Sequence, residues 1–357
     1  MPTIAKKARA AVLEEANKPV KIAELPVPEV EPDGILVEME GASICHTDNM
    51  ILRGSIGELK FPLVMGHEMT GRIVKMGDER KTDSAGQPLK EGDSIVWAYA
   101  RCGHCFYCTV AHQPTLCPNS RKYGRGPSNV YPYLTGGFAE YIYVYPGAPV
   151  VKVPPGLNPQ VVSAATCAFR TVVHGFEKLG GVSYRDSVAI LGSGPVGLWA
   201  LAVCAVSGVP LTIMLGAPRH RLELAKRWGA HHVIDITEED WNQRKQTVLG
   251  LTDGRGPDVV IQCAPSAEAF KQGLELVRPG GKYLVIGGGE PGSVTLQPNV
   301  MTKYLTIYGV LSGDVNHYYN ALQFLKNNQN RLPLDSIITN TYPLSRINEA
   351  LQAMDDL

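Results

Sequence analysis

Four cysteines, Cys102, Cys105, Cys108 and Cys117, stand in the pattern C-x-x-C-x-x-C-x8-C within a segment full of turn residues. Four soft thiolates this close can complete a tetrahedral shell around zinc, and a shell with no open position is structural rather than catalytic. A disulfide pair or a redox motif fits poorly with four regularly spaced thiols in a chain whose cysteines are expected to stay reduced. A second set is more dispersed: Cys45 in ASICHTD, His67 with Glu68 in MGHEMTG, and Cys167 in ATCAFRT. Two sulfurs and one imidazole would leave the fourth position of a zinc ion open for water or substrate. Spacing alone leaves this second set undecided, because cysteine is a common buried residue and a lone histidine is often a satisfied core side chain. Cys204 and Cys263 lie in apolar patterns and read as packing residues.

A third signal follows the apolar run VAIL: Gly192-Ser-Gly194-Pro195-Val196-Gly197, and then a helical pattern. Gly192 permits a tight turn, Gly194 lets backbone approach a pyrophosphate, and Gly197 lets the helix lie close on the strand. The helix then points its free N-terminal amides at the phosphates. The acid expected at the end of the next strand, which would hold the ribose of NAD, is missing; Leu215-Gly216-Ala217-Pro218 stands there. Its absence removes a charge that would repel a 2′-phosphate, and Arg219 and Arg221 follow, so the chemistry leans slightly towards NADP. The alternative is that both arginines are solvated helix residues. Ile286 and Leu311 are also assigned to the cofactor site.

These residues must be positioned by more than one core, since a chain of 357 residues is about right for two domains. With 34 basic and 34 acidic side chains there is no net field for nucleic acid or an anionic membrane, and no block of like charge forms a local one. A small neutral or mixed-charge ligand is expected. The N-terminal MPTIAKKARA lacks an apolar signal core, which points to a cytoplasmic protein. Ser187 to Pro218 is uncharged and long enough to span a bilayer, but its glycines and prolines break it into two short strands around one helix. A buried parallel sheet is the expectation.

The first stretch, to about residue 165, is rich in strand-like runs such as 35–39, 71–75 and 94–97, which suggests a mainly antiparallel domain. From Asp186 strands and helices alternate: strands 188–191, 211–215 and 232–236, with helices 195–207 and 219–228. Strands 259–262 and 283–286 around a helix at 267–276 continue a doubly wound pattern. After Leu311 a mixture of helix and strand is expected.

In their order and distances, ASICHTD, GHE, the four-cysteine lobe, GGFAEY at 136–141, ATCAFRT and the glycine fingerprint resemble the zinc-containing medium-chain alcohol dehydrogenases over essentially the whole chain. The resemblance implies an α/β protein with two domains. A GroES-like, mainly antiparallel β catalytic domain would comprise residues 1–167 and 313–357, with a structural zinc lobe at 101–118; a doubly wound parallel-sheet Rossmann domain would comprise 168–312. It implies one catalytic zinc on Cys45, His67 and Cys167, with Glu68 able to approach it, and one structural zinc. Thr47 would bond the substrate oxygen and receive its proton, and Asp48 would support the metal site. His46 would lie near the cofactor pyrophosphate and Thr171 at the nicotinamide. Without the resemblance, Thr47 and Asp48 would read as turn caps and His46 as a surface residue.

The implied activity is reversible hydride transfer between an alcohol and NAD or NADP, in a homodimer or homotetramer. Three departures stand out. Met50 occupies the place of a proton-relaying histidine, one extra residue precedes Cys117, and the chain ends in INEALQAMDDL where relatives usually continue into a final strand. Met50, Phe169 and Leu311 as pocket residues suggest an apolar, alicyclic or aromatic alcohol, although Phe169 reads equally as core. Two rival readings are a zinc-free quinone or enone reductase of the same superfamily and a non-catalytic zinc- and dinucleotide-binding protein. Retention of all three ligands opposes the first, and Thr47 would have no use in the second.

Overall fold

The computed structural model describes residues 4–57, 59–288, 296 and 299–355. The chain divides into two compact units, one of residues 1–167, 313–329 and 337–357 and one of residues 168–312 and 330–336.

In the first unit, strands β1 (Lys7–Leu13), β2 (Lys21–Pro26) and β3 (Ile35–Ser43) precede helix α1 (His46–Leu52). Then come β4 (Leu63–Val64), β5 (Glu68–Met76), β6 (Ser94–Trp97), the short helix α2 (Phe106–Thr109), β7 (Tyr141–Val144), β8 (Val150–Lys152) and helix α3 (Pro159–Ala164). All pairings are antiparallel, in a three-stranded sheet β2-β1-β4 and a five-stranded sheet β7-β3-β5-β6-β8. β-branched and aromatic residues alternate inward along these strands, so that Ile35, Val37, Ile73, Ile95, Trp97, Ile142 and Val144 form one core.

In the second unit, helix α4 (Arg170–Leu179) is followed by β9 (Ser187–Leu191), α5 (Pro195–Val206), β10 (Leu211–Gly216), α6 (Arg219–Arg227), β11 (His232–Asp235), α7 (Trp241–Leu251), β12 (Val259–Gln262), α8 (Ala267–Leu276), β13 (Lys282–Val285), α9 (Asn299–Thr302) and β14 (Thr306–Gly309). The six strands are parallel in the order β11-β10-β9-β12-β13-β14, which reverses direction at β9 as a doubly wound sheet does. The uncharged stretch is β9, α5 and β10, with α5 largely buried, and no described helix is long and apolar enough to cross a membrane.

The tail corrects one expectation. Among the described residues it holds no strand; it folds as α10 (Val315–Asn328), two 3₁₀ turns and α11 (Ile347–Asp355). Tyr318, Ala321, Leu322 and Leu325 are buried at helical spacing along α10, and this period of 3.6 wins over any strand tendency. Residues 330–336 group with the second unit, where buried Trp228 donates its indole N–H to Ser336 Oγ at 2.9 Å. In the first unit α11 packs against α1, and the Asn348 side chain accepts from Val20 N and donates to Val20 O.

Candidate metal centres and dinucleotide turn

Cys45 stands in extended backbone immediately before α1. Asp48, in the first turn of that helix, is fully buried; its Oδ2 accepts the Cys45 backbone N–H at 3.0 Å while its Oδ1 meets His67 Nδ1 at 3.1 Å. One carboxylate thus caps the helix and fixes the ring, so the Nδ1 proton faces Asp48 and the Nε2 lone pair faces Cys45 Sγ at 3.3 Å. Asp48 thus caps α1 and also contacts the His67 ring. Thr47 beside it is half-buried, and among the described residues its hydroxyl makes no capping bond.

The segment that delivers His67 is held from two sides. Gly137 N donates to Gly66 O and Phe138 N to Met65 O, both at 2.9 Å, so GGFAEY is the pairing partner of the residues just before His67. On the other side Met69 N donates to Thr166 Oγ1 at 2.9 Å, and Thr166 in turn donates to Ser163 O at 2.7 Å. Thr166 belongs to a π-helical segment, Ala165–Phe169, that carries Cys167. Such segments are rare and recur at functional sites. Thr166 therefore ties the strand of Glu68 to the residue before Cys167, a role that nothing in the sequence signals beyond adjacency. Thr166→Val keeps the shape but leaves the buried Met69 N–H without its acceptor, at a cost of ~1–3 kcal/mol. The expected result is a lowered unfolding midpoint together with weaker zinc retention against a chelator; unchanged retention would limit Thr166 to packing.

With these supports, the ligand atoms of Cys45, His67, Glu68 and Cys167 all lie within 4.8 Å of one another. The hydrogen bond with Cys167 and then burial push the Cys45 thiol up, and burial followed by Cys167 pushes the Glu68 carboxyl up. Burial opposes protonation of His67, yet Asp48 and Cys167 together hold it above its ordinary value. Glu68 Oε1 is buried without a hydrogen-bond partner. Two thiols, an imidazole and a carboxylate packed this tightly fit a zinc ion, whose charge makes the deprotonated ligands favourable.

The other set is equally tight. The sulfurs of Cys102, Cys105, Cys108 and Cys117 lie within 4.8 Å of one another, and all eight cysteines of the chain are free thiols. The backbone amide of His104 pulls the Cys102 thiol down to about 6, while burial pushes that of Cys108 up to about 12. On the way to Cys117 the chain turns at His112, which takes a left-handed φ of 50°. Thr115 N and Oγ1 both donate to Asp314 Oδ2 at 3.2 Å, tying the lobe to the start of α10. Neither metal set among the described residues includes Cys204 or Cys263; Cys204 is fully buried in α5.

In the second unit the fingerprint forms the turn from β9 into α5. Gly192 has φ 115°, and a Cβ on Gly197 would lie 1.9 Å from Gly192 O, so neither position tolerates a side chain. Gly194 caps α5, with Pro195 exposed and Val196 half-buried at its first positions. The two arginines separate here. Arg219 is exposed and paired with Glu238 at 2.8 Å, whereas Arg221 Nη1 lies 3.8 Å from the place a Cβ on Gly194 would take. A Cβ on Gly216 would lie 2.8 Å from Ser193 N, so the strand end has no room for the missing acid unless Ser193 shifts.

The remaining expected residues are dispersed. His46 is exposed, Thr171 is buried at the start of α4, Ile286 is half-buried and approaches Gly175 of α4, and Leu311 is exposed. Phe169 is fully buried and stacked on Trp199 with centroids 4.4 Å apart, which makes it core. Sequence reasoning missed Arg170, whose Nη1 donates to Ser312 Oγ at 2.6 Å while His174 Nδ1 meets Ser312 O at 3.0 Å. The two side chains, one helical turn apart, hold Ser312 at a φ of 64°.

Family models match both units: an alcohol dehydrogenase GroES-like domain over residues 31–155 and a zinc-binding dehydrogenase over residues 195–327. The 5-exo-hydroxycamphor dehydrogenase of Pseudomonas putida is 33% identical over 348 residues, covering 97% of this chain and 95% of that one. The chain belongs to the zinc-dependent medium-chain alcohol dehydrogenase family. It is an oxidoreductase of that family, with its GroES-like and Rossmann architecture. An alcohol dehydrogenase of Thermotoga maritima superposes with a TM-score of 0.92 at 31% identity, covering 98% of this chain and 96% of that one. A zinc-binding dehydrogenase of Sinorhizobium meliloti, solved bound to NADP, gives a TM-score of 0.79 at 27% identity over 90% of each chain.

Proposed function

We propose that this family member oxidises an apolar secondary alcohol, alicyclic or aromatic, to its ketone, and reverses that reaction, with NADP preferred to NAD. The observation that carries the reading is the convergence of Cys45, His67, Glu68 and Cys167 beside the uncommitted hydroxyl of Thr47. A zinc ion held by Cys45, His67 and Cys167 would supply a Lewis acid that brings a hydroxyl pKa from about 16 down towards neutrality. NAD(P) on the glycine turn would take the hydride. Thr47 would accept the hydrogen bond of the substrate hydroxyl and take its proton while giving up its own hydroxyl proton towards the cofactor ribose and water, and Asp48 would keep the His67 ring in its ligating tautomer. Glu68, with Oε1 unpartnered, is free to approach the metal. A second zinc would occupy the four-cysteine lobe.

The hydroxycamphor relative acts on an alicyclic secondary alcohol by its name, which supports the substrate class. Arg221 beside Gly194, the acid-free end of β10 and the NADP-bound relative support NADP. A homodimer or homotetramer in the cytoplasm completes the reading. Its support is β14, an edge strand flanked by exposed Met301, Tyr304 and Leu311, since an open edge beside apolar side chains favours pairing.

The test is a panel of alcohols with both cofactors on protein assayed for metal. Two zinc ions per chain and nicotinamide reduction by bulky secondary alcohols are expected; no turnover with any alcohol in zinc-loaded protein would overturn the dehydrogenase reading. Arg221→Ala should reduce kcat/KM with NADP by about tenfold or more and leave NAD nearly unaffected, since a charge-assisted hydrogen bond is worth ~1.5–3 kcal/mol. An equal loss with both cofactors would remove Arg221 as the basis of the NADP preference.

A further inference from the structure

Just beyond the carboxyl end of β14, Ser312 takes a backbone conformation that serine seldom adopts, with φ 64°. Such a residue persists only where its surroundings over-determine it, and here two side chains grip it. Arg170 Nη1 donates to Ser312 Oγ at 2.6 Å. His174 Nδ1, which carries the proton because a carbonyl oxygen only accepts, donates to Ser312 O at 3.0 Å. Both donors stand on one face of α4, four residues apart. Arg170 is 2% exposed, so packing as well as the hydrogen bond fixes its side chain.

The helix that carries the two donors is itself anchored to the sheet. Gly175 admits it so close to β13 that a Cβ there would lie 2.9 Å from Leu284 Cδ2 and 3.2 Å from Ile286 Cδ1. At its other end Lys282 Nζ donates to Leu179 O at 2.7 Å. Val310 N donates to Val285 O at 3.2 Å, which ties the start of residues 310–312 to the end of β13. These three residues are therefore held from one side by the sheet and from the other by α4.

Their place in the sheet gives this grip a use. Strand order reverses at β9, and a dinucleotide lies there across the carboxyl ends of the strands, one half on each side of the glycine turn. With the 2′-phosphate proposed beside Arg221 and the end of β10, the nicotinamide half extends the other way, over the ends of β12, β13 and β14. Buried Thr171, the neighbour of Arg170, begins α4 on that side.

We propose that Arg170 and His174 are positioning residues for the nicotinamide: by gripping Ser312 they hold residues 310–312 in the one conformation that fits the carboxamide-bearing end of the cofactor. This rests on the cofactor placement proposed for the glycine turn and adds a determinant that acts on one end of the cofactor only. Hydride transfer needs the ring held within a narrow geometry, which a wall fixed from two sides provides.

The probes are NADPH and NADH, compared by calorimetric titration with ADP-ribose 2′-phosphate and ADP-ribose, the same molecules without nicotinamide, on the zinc-loaded full chain. Ser312→Ala removes the hydroxyl from a half-buried residue, and Arg170→Met removes the guanidinium but keeps a long side chain. Each should weaken binding of the whole cofactor by about tenfold and leave the fragment within about twofold, with no further loss in the double variant. Arg221→Ala should instead weaken NADPH and its fragment equally. Should Arg170→Met fail to fold, Ser312→Ala decides alone. The proposal is overturned by an equal loss for cofactor and fragment in Ser312→Ala, or by an unchanged affinity for both. Failure of the unaltered protein to bind any of the four probes would overturn the cofactor placement, and the proposal with it.

Discussion

Cys167→Ala is expected to abolish turnover and to lower the zinc content by about one ion per chain, with the four-cysteine lobe still filled. The thiol is one of only two sulfurs in its set, and the three remaining ligand side chains cannot restore the donor that the soft metal prefers. Alanine suits the helical backbone at this position, so the π-helical segment and the Thr166 bond to Met69 should persist. Loss of the metal rather than loss of the fold is therefore the expected defect. Cys204→Ala and Cys263→Ala serve as controls, because both thiols lie outside the two sets and burial pushes their pKa values up, as for inert packing residues. Normal activity in Cys167→Ala would end the ligand assignment, and zinc loss in either control would contradict the packing role.

The second large effect is expected at the four-cysteine lobe, where Cys105→Ser should damage stability or assembly before it touches the chemistry. The lobe has little core of its own. Its helix α2 spans four residues, and Phe106, Val110 and Leu116 are exposed. A structural zinc in so small a lobe contributes folding free energy directly, on the order of 10 kcal/mol in isolated zinc-binding peptides. Its loss would release Cys105, Cys108 and the turn around His112, and with them the Thr115 contacts that anchor the lobe to Asp314. Aggregation or a smaller assembly by light scattering, with about one zinc per chain retained, is the expected outcome. A stable, fully assembled variant whose only fault is a slow hydride step would mean that the roles of the two metal sets are reversed.

Much of this protein is written in short windows of sequence. The four cysteines of the lobe fall within sixteen consecutive residues, 102–117, and their geometry follows from local turns. The glycine turn is equally local, since Gly192 needs a left-handed φ and Gly197 must admit Gly192 O, both within one strand–turn–helix unit. Strands of the parallel sheet are legible because burial on both faces makes them continuous apolar runs, as in β9 and β12. The tail was legible in part: INEALQAMDDL reads as a helix and folds as α11, whereas the strand expected beside it is not found among the described residues.

Other features exist only once the chain has folded. Cys45, His67 and Cys167 are common residue types far apart in sequence, and their kinship was visible through family resemblance rather than spacing. What makes them one site is the set of bonds from Asp48, Thr166 and the GGFAEY segment that converge on the strand entering β5. Tertiary packing likewise divided two arginines, two residues apart, that sequence treated alike, turning Arg221 to the glycine turn and Arg219 to Glu238. It also resolved Phe169 as core against Trp199. Local backbone preference acts over a few residues and can be read from them, whereas burial, hydrogen-bond partners and local field depend on which distant segments share a volume, and only the tertiary structure decides that.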